Sequence, residues 1–130
     1  MKATREPVAL PRATQLLNHG PVTIITSAHE GRSNVMAASW AMPLDFDPPK
    51  VVVVVDGRTL TRQLIEASGV FGLQLPSRKF AAQTLAVGTN AGLELDKFSA
   101  FELETFSAEK STCDAGRLHH VDGMQGDSRR

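Results

Sequence analysis

Few of the residue types that usually announce chemistry are present. A single cysteine, Cys113, excludes an internal disulfide framework and fits a reducing compartment. It has no partner histidine and starts no helix, so nothing activates its thiol. An excess of one charge is missing too. Fourteen Lys and Arg balance 14 Asp and Glu, and no long-range field draws nucleic acid or an anionic membrane. Apolar runs are short: Val51 to Val55 is five residues, against the roughly 20 of a spanning helix. Lys2 and Arg5 are followed by no apolar stretch, so no signal peptide is expected and the expected location is the cytoplasm. There is no Gly-rich phosphate loop, no G-x-S-x-G elbow and no G-x-G-x-x-G fingerprint. His19 and His29 lie in expected turns and His119-His120 near the C-terminus; no spacing with carboxylates matches a metal site. No acid–base pair announces itself. These absences confine the chemistry to something a cofactor performs, or to none.

What is present is one domain's worth of ordinary globular sequence: 130 residues, 42% hydrophobic and 22% charged. Pro11 sits where a first helical turn tolerates proline, and Ala13, Leu16 and Leu17 follow at helical spacing. The β-branched run Val22 to Thr26 predicts a strand, turned at residues 28–32 into a returning strand from Asn34 to Met42. Residues 46–49, rich in proline, break it. Lys50 to Val55 predicts a strand buried on both faces. A helix is predicted from Leu60 to Ser68, closed by Gly69, then a strand from Val70 to Leu75. A second helix, Arg78 to Val87, would turn Phe80, Ala81, Thr84 and Leu85 to the core. Asp96-Lys97-Phe98 begins a short turn of helix and Glu102 to Ser107 a final strand. From residue 111 onward the apolar period is lost, so residues 1–110 are expected to form the domain and 111–130 a disordered tail. Early hairpins followed by strand–helix–strand–helix imply a mainly β fold with helices, an antiparallel barrel decorated by them.

Three stretches are candidate sites. Asn34, Val35, Met36, Ala37, Ala38, Ser39 and Trp40 combine small residues, which let a ligand reach the backbone, with the only tryptophan, a large flat surface. Taken alone, the stretch is better read as an ordinary strand whose Ala and Ser face a neighbouring element, so its neighbours must decide. Residues 56–61, with Arg58, Thr59 and Thr61, follow a buried strand and open a helix, where free N–H groups and the dipole favour a phosphate. The simpler reading is a Thr59 cap beside a solvated arginine. Ser77-Arg78-Lys79 is a second cationic helix start, open to the same two readings.

Taken in order over residues 18–106, these pieces resemble the flavin reductase-like family of FMN-binding split barrels. The resemblance is carried by GPVTIITS from Gly20, GRSNVMAASW from Gly31, DPPKVVVV from Asp47, RTLTRQLI from Arg58, GVFGLQL from Gly69 and Asp96-Lys97-Phe98. It implies a split β-barrel that dimerises with FMN near the interface and takes hydride from NAD(P)H at flavin N5. Asn34 through Trp40 would line the isoalloxazine edge, Thr26 and Ser27 the ribityl chain, and Arg58, Thr59 and Thr61 the phosphate. The implied function is an FMN-dependent NAD(P)H oxidoreductase acting as a homodimer. The alternatives are a non-catalytic flavin-binding or electron-carrier domain, and an inactive relic. A pyridoxamine-phosphate oxidase-like activity fits the motif order less well. Family members continue past the equivalent of Ser107 with further strands, often from a Glu-Cys-Arg or Glu-Cys-Lys segment. The chain is thus expected to lack the late strands, as a truncated or frameshifted member. Codons for Gly123-Met124-Gln125, shifted one nucleotide forward, permit Glu, then Cys, then Lys or Arg; resequencing the gene tests this.

Overall fold

Strand β1 (Thr23–His29) and strand β2 (Arg32–Ala38) form an antiparallel hairpin in which Thr23 faces Ala38 and His29 faces Arg32. The two turn residues, Glu30 and Gly31, have φ of 46° and 79°. That left-handed pair matches the twist of the flanking strands, and glycine takes the second position without a Cβ penalty. This computed structural model describes residues 9, 12, 16, 17, 19–47, 49–105 and 117–119. The helix expected after Pro11 therefore lies mostly outside the described residues, although Leu17 is buried in the core.

The returning segment Asn34–Met42 is not one strand. β2 ends at Ala38, and a third strand, β3 (Ala41–Phe46), leaves the sheet and pairs with β4 (Pro49–Val53) as a separate two-stranded sheet. The Thr23 hydroxyl donates to the Ala38 carbonyl at 2.8 Å, while the Trp40 carbonyl accepts from Val54 N–H at 2.9 Å. Ser39 and Trp40 are the corner between those two bonds. The valine run also differs from expectation. β4 stops at Val53, and only Val51 and Val53 are buried, at 2% exposure each, whereas Val54 is 52% exposed. Among the described residues β4 pairs with β3 alone, so one face meets the core and the period-two alternation returns.

Helix α1 (Leu60–Ser68) is capped by Thr59 and closed by Gly69 at φ 70°, whose N–H donates to the Ile65 carbonyl at 2.8 Å. It packs on β1 and β2 and delivers the chain to β5 (Val70–Gln74), which pairs with β1. The main sheet runs β2-β1-β5-β6, antiparallel throughout. β6 (Arg117–His119) is the described part of the segment expected to be a disordered tail. The two sheets enclose a core of Ile25, Ala38, Ala41, Val51, Val53, Phe71 and Leu73, with Leu17.

The predicted helix 78–87 divides into a 3-10 turn (Arg78–Phe80) and helix α2 (Ala81–Thr89). Its buried face is shifted from the expected one. Ala81 is exposed and Leu85 68% exposed, whereas Val87 is 2% exposed and packs toward β2. The 3-10 turn advances the chain by about 120° per residue rather than about 100°, which rotates α2 relative to a continuous helix. Helix α3 (Lys97–Ala100) is short, and the Asp96 carboxylate caps it by accepting from Phe98 and Ser99 N–H. Glu102 to Thr105, the described part of the final strand predicted over 102–107, is not strand. No described helix is long and apolar enough to cross a membrane.

Candidate functional site

The loop between β4 and α1 is built by Asp56. Its Oδ1 accepts from Arg58 N–H at 2.8 Å, and its carbonyl accepts from the Thr59 N–H and hydroxyl at 3.1 and 2.8 Å. Thr59 Oγ1 in turn accepts from Arg62 N–H at 3.2 Å. The N–H groups of Leu60 and Thr61 belong to the first turn, have no carbonyl one turn back to bond, and lie at the positive end of the helix dipole. The Arg58 guanidinium forks onto the Asp56 carboxylate, Nε to Oδ1 at 3.2 Å and Nη2 to Oδ2 at 3.1 Å. That pairing holds the Asp56 carboxyl down at about 2 and leaves the Arg58 side chain 92% exposed, on the rim.

The facing wall is β2. Asn34 is buried, and its Nδ2 donates at 2.9 Å to Oγ1 of Thr61, which is fully buried. Gly92 presses on the Asn34 side chain so closely that a Cβ there would collide with it. Lys97, at the start of α3, is 4% exposed and donates from Nζ to the carbonyls of Val35 at 3.0 Å and Val87 at 2.8 Å. Burial pushes its ammonium pKa below the usual 10.5.

These groups line a cavity of about 190 Å³ between the start of α1, β2, the end of α2 and the loop that follows it to Leu93. Arg58, Thr59, Thr61, Asn34, Met36 and Ala37 all line it, which brings six of the expected site residues together across two separate sequence stretches. Two lining residues are cations, Arg58 and Lys97, and none is a carboxylate. A wider cleft of about 610 Å³ adjoins it, lined by Ser39, Ser77, Arg78 and Thr84 among others. Ala37 and Gly88 line both, and a Cβ at Gly88 would stand 3.1 Å from that of Ala37. Thr84 Oγ1 is buried there with no hydrogen-bond partner.

Five expected residues line neither space. Val35 and Ala38 turn into the protein, at 3% and 6% exposure, and Trp40 stands 71% exposed on the outer face. Thr26 and Ser27 lie on β1 away from both cavities, and Ser27 Oγ is buried without a partner. Conversely, Lys97, Gly88 and Gly92 line or shape the cavity without belonging to any of the candidate stretches, and of the three only Lys97 carries a sequence signal, the Asp96-Lys97-Phe98 match. Among the described residues no cluster of His, Cys, Asp and Glu could hold a metal.

A family model described as "Flavin reductase like domain" matches residues 17–122. The chain belongs to the flavin reductase-like domain family. The match runs past Ser107 and includes β6. An Escherichia coli (strain K12) relative, YddH, is 47% identical over 97 residues, covering 73% of this chain and 51% of its own length. Among solved structures, an FMN-binding domain of a flavin reductases-like enzyme from Shewanella baltica OS155 is 36% identical. It superposes with a TM-score of 0.76, over 88% of this chain and 59% of that one. Flavoredoxin from Methanosarcina acetivorans is 29% identical with a TM-score of 0.63, over 68% and 47%. The fold of this flavin reductase-like domain is that of the FMN-binding split barrels. The chain spans about half the length of the E. coli relative.

Proposed function

We propose that this flavin reductase-like domain binds FMN and serves as an NAD(P)H-dependent flavin oxidoreductase. One observation carries the reading: the cavity is lined by Arg58 and Lys97, by Thr59, Leu60 and Thr61 at the start of α1, and by no carboxylate. That donor set suits the phosphate end of FMN. At about 190 Å³ the cavity is too small for a whole FMN, so the ring would lie outside it. The adjoining cleft, with the unpartnered Thr84 hydroxyl, continues in the right direction across Ala37 and Gly88.

In this reading Leu60 and Thr61 N–H donate to the phosphate, and Asn34 fixes the Thr61 hydroxyl oxygen so that its proton points away from the amide. The backbone from Asn34 in β2 to Ser39 at the corner, thinly covered at Ala37, is the platform for the ring edge. FMN, when bound, supplies a hydride acceptor at N5, and NAD(P)H supplies the hydride. The protein supplies position and a field rather than a proton donor, which accounts for the lack of an acid–base pair. A homodimer fits the outer face of β3 and the corner before it, where Met42, Leu44, Phe46 and Trp40 are all more than half exposed. Trp40 would then meet the flavin from the interface rather than from within one chain.

The test is an absorbance spectrum after FMN addition and desalting, followed by NADH and NADPH oxidation with FMN present. Retained flavin bands with turnover are expected. Retained flavin without turnover would leave the second reading, a flavin-binding electron carrier, favoured by the likeness to the Methanosarcina flavoredoxin. A folded protein that takes up no flavin would overturn both.

A further inference from the structure

The wider cleft beside the small cavity has one unbalanced charge. Its apolar lining comes from Pro21 and Val22 ahead of β1, and from Ala81 and Leu85 on α2. Val22 is 45% and Leu85 68% exposed, so this apolar surface stands open to solvent. Among the described residues Arg78 is the one charged side chain lining the cleft, and no carboxylate lines it. Arg58, Arg62 and Lys50 each lie against a carboxylate, whereas no described carboxylate lies within ion-pairing distance of Arg78. The placement of Arg78 adds to its cost. It opens the 3-10 turn that leads into α2, and neither segment has an acidic residue in its first turn or a side-chain cap. The N–H groups there carry partial positive charge, so a further cation is mildly unfavourable until an anion arrives. Further along the same wall, the Thr84 hydroxyl lines the cleft, buried and without a hydrogen-bond partner. An unpaired buried hydroxyl costs stability that a bound polar group recovers. A molecule with a flat ring, a polar substituent and an anionic end answers all three features.

We infer that Arg78 receives a phosphate of the pyridine nucleotide that donates hydride, and so sets how strongly this reductant is held. This rests on the proposed flavin-dependent function and adds to it the residue that selects the reductant. Arg78 lines the cleft and not the small cavity, so it acts on the second reactant rather than on the cofactor's phosphate. Ser77, which also lines the cleft, adds a hydroxyl beside the guanidinium fork. A dinucleotide offers two sources of the charge: the pyrophosphate common to NADH and NADPH, and the ribose phosphate that NADPH alone carries.

The experiment measures steady-state kinetics of wild type and Arg78→Ala with NADH, NADPH and the uncharged hydride donor N-benzyl dihydronicotinamide, and FMN affinity by flavin fluorescence. Arg78 is exposed, so the variant should fold, with circular dichroism as the check. A charge-assisted bond that stays partly in solvent corresponds to about three- to tenfold in binding. Arg78→Ala should raise KM for the dinucleotide by that factor, with kcat and FMN affinity held within about twofold. No such rise should occur with the uncharged donor. A rise for NADPH alone assigns the contact to its ribose phosphate, and equal rises for both assign it to the pyrophosphate. Unchanged KM for both dinucleotides, an equal rise with the uncharged donor, or a matching loss of FMN affinity would overturn the inference. If wild type retains no flavin or shows no turnover, the functional reading fails separately. Binding of NADPH, followed by its own fluorescence, then decides: it should be weaker in Arg78→Ala, and no binding or equal binding sinks the assignment.

Discussion

The two faces of β2 and its continuation follow opposite rules. On the α1 side, polar groups meet polar groups inside one chain: Asn34 on Thr61, Lys97 on two carbonyls, Asp96 on the start of α3. On the β3–β4 hairpin, large apolar side chains face outward, with Phe46 80% and Trp40 71% exposed. A polar pocket needs its partners fixed before the ligand arrives, because an unpaired buried donor or acceptor costs more than the bond gains. An apolar face needs no such preparation and waits for a cover. The first region is therefore held by contacts within one chain, and the second is left exposed.

The largest effect that breaks this contrast should come from Gly92→Ala. The new methyl displaces Asn34 and opens its bond to Thr61, so a fall of about 1–3 kcal/mol in unfolding free energy is expected from urea titration. Adding Asn34→Ala should cost much less in that background than in wild type; full additivity would show that the two positions are not coupled. Phe46→Ser should be smaller still in the isolated chain, within about 0.5 kcal/mol, because it alters exposed surface. Its consequence is for association. In wild type Trp40 emission should shift to the blue as concentration rises and the dimer forms, and Phe46→Ser should abolish that shift. A wild-type emission maximum independent of concentration, with a monomeric mass by sedimentation, would remove the dimer.

The smallest effect is set by pH at the rim. The Asp56 carboxyl is lowered in the folded protein from its ordinary 3.8 to about 2 by Arg58. A lowered carboxyl pKa contributes stability that is fully present above about pH 4 and lost as pH falls through about 2. Wild type should thus lose slightly more thermal stability than Asp56→Asn between pH 4 and pH 2, and the pair is exposed enough for salt to screen the difference. Equal acid profiles would show that the fork is not populated in solution.

Much of the fold was legible because its signals are local. Thr59 and Gly69 bracket α1, the Glu30–Gly31 pair sets the first hairpin, and Asp96 marks the start of α3; each works through bonds a few residues long. The division of Asn34–Met42 into two strands was not legible, since the corner at Ser39 and Trp40 is held by Thr23 and Val54, distant residues that donate to the Ala38 and Trp40 carbonyls. Five valines read as doubly buried, yet their second face depends on which strands lie beside them. The phosphate-sized end of the site was half visible in Arg58, Thr59 and Thr61. Lys97 stayed hidden for a physical reason: its Val35 partner is 62 residues away, and a lysine in a first helical turn normally reads as solvated.

Ala37 and Gly88 meet where the small cavity and the open cleft join, and a methyl added to Gly88 would stand 3.1 Å from that of Ala37. That contact seats α2 closely on β2 where the two spaces meet. A side chain larger than hydrogen at residue 88 would have to push the helix off the strand, so the spacing of the two elements, and with it the width of both spaces, is set there by the lack of a side chain.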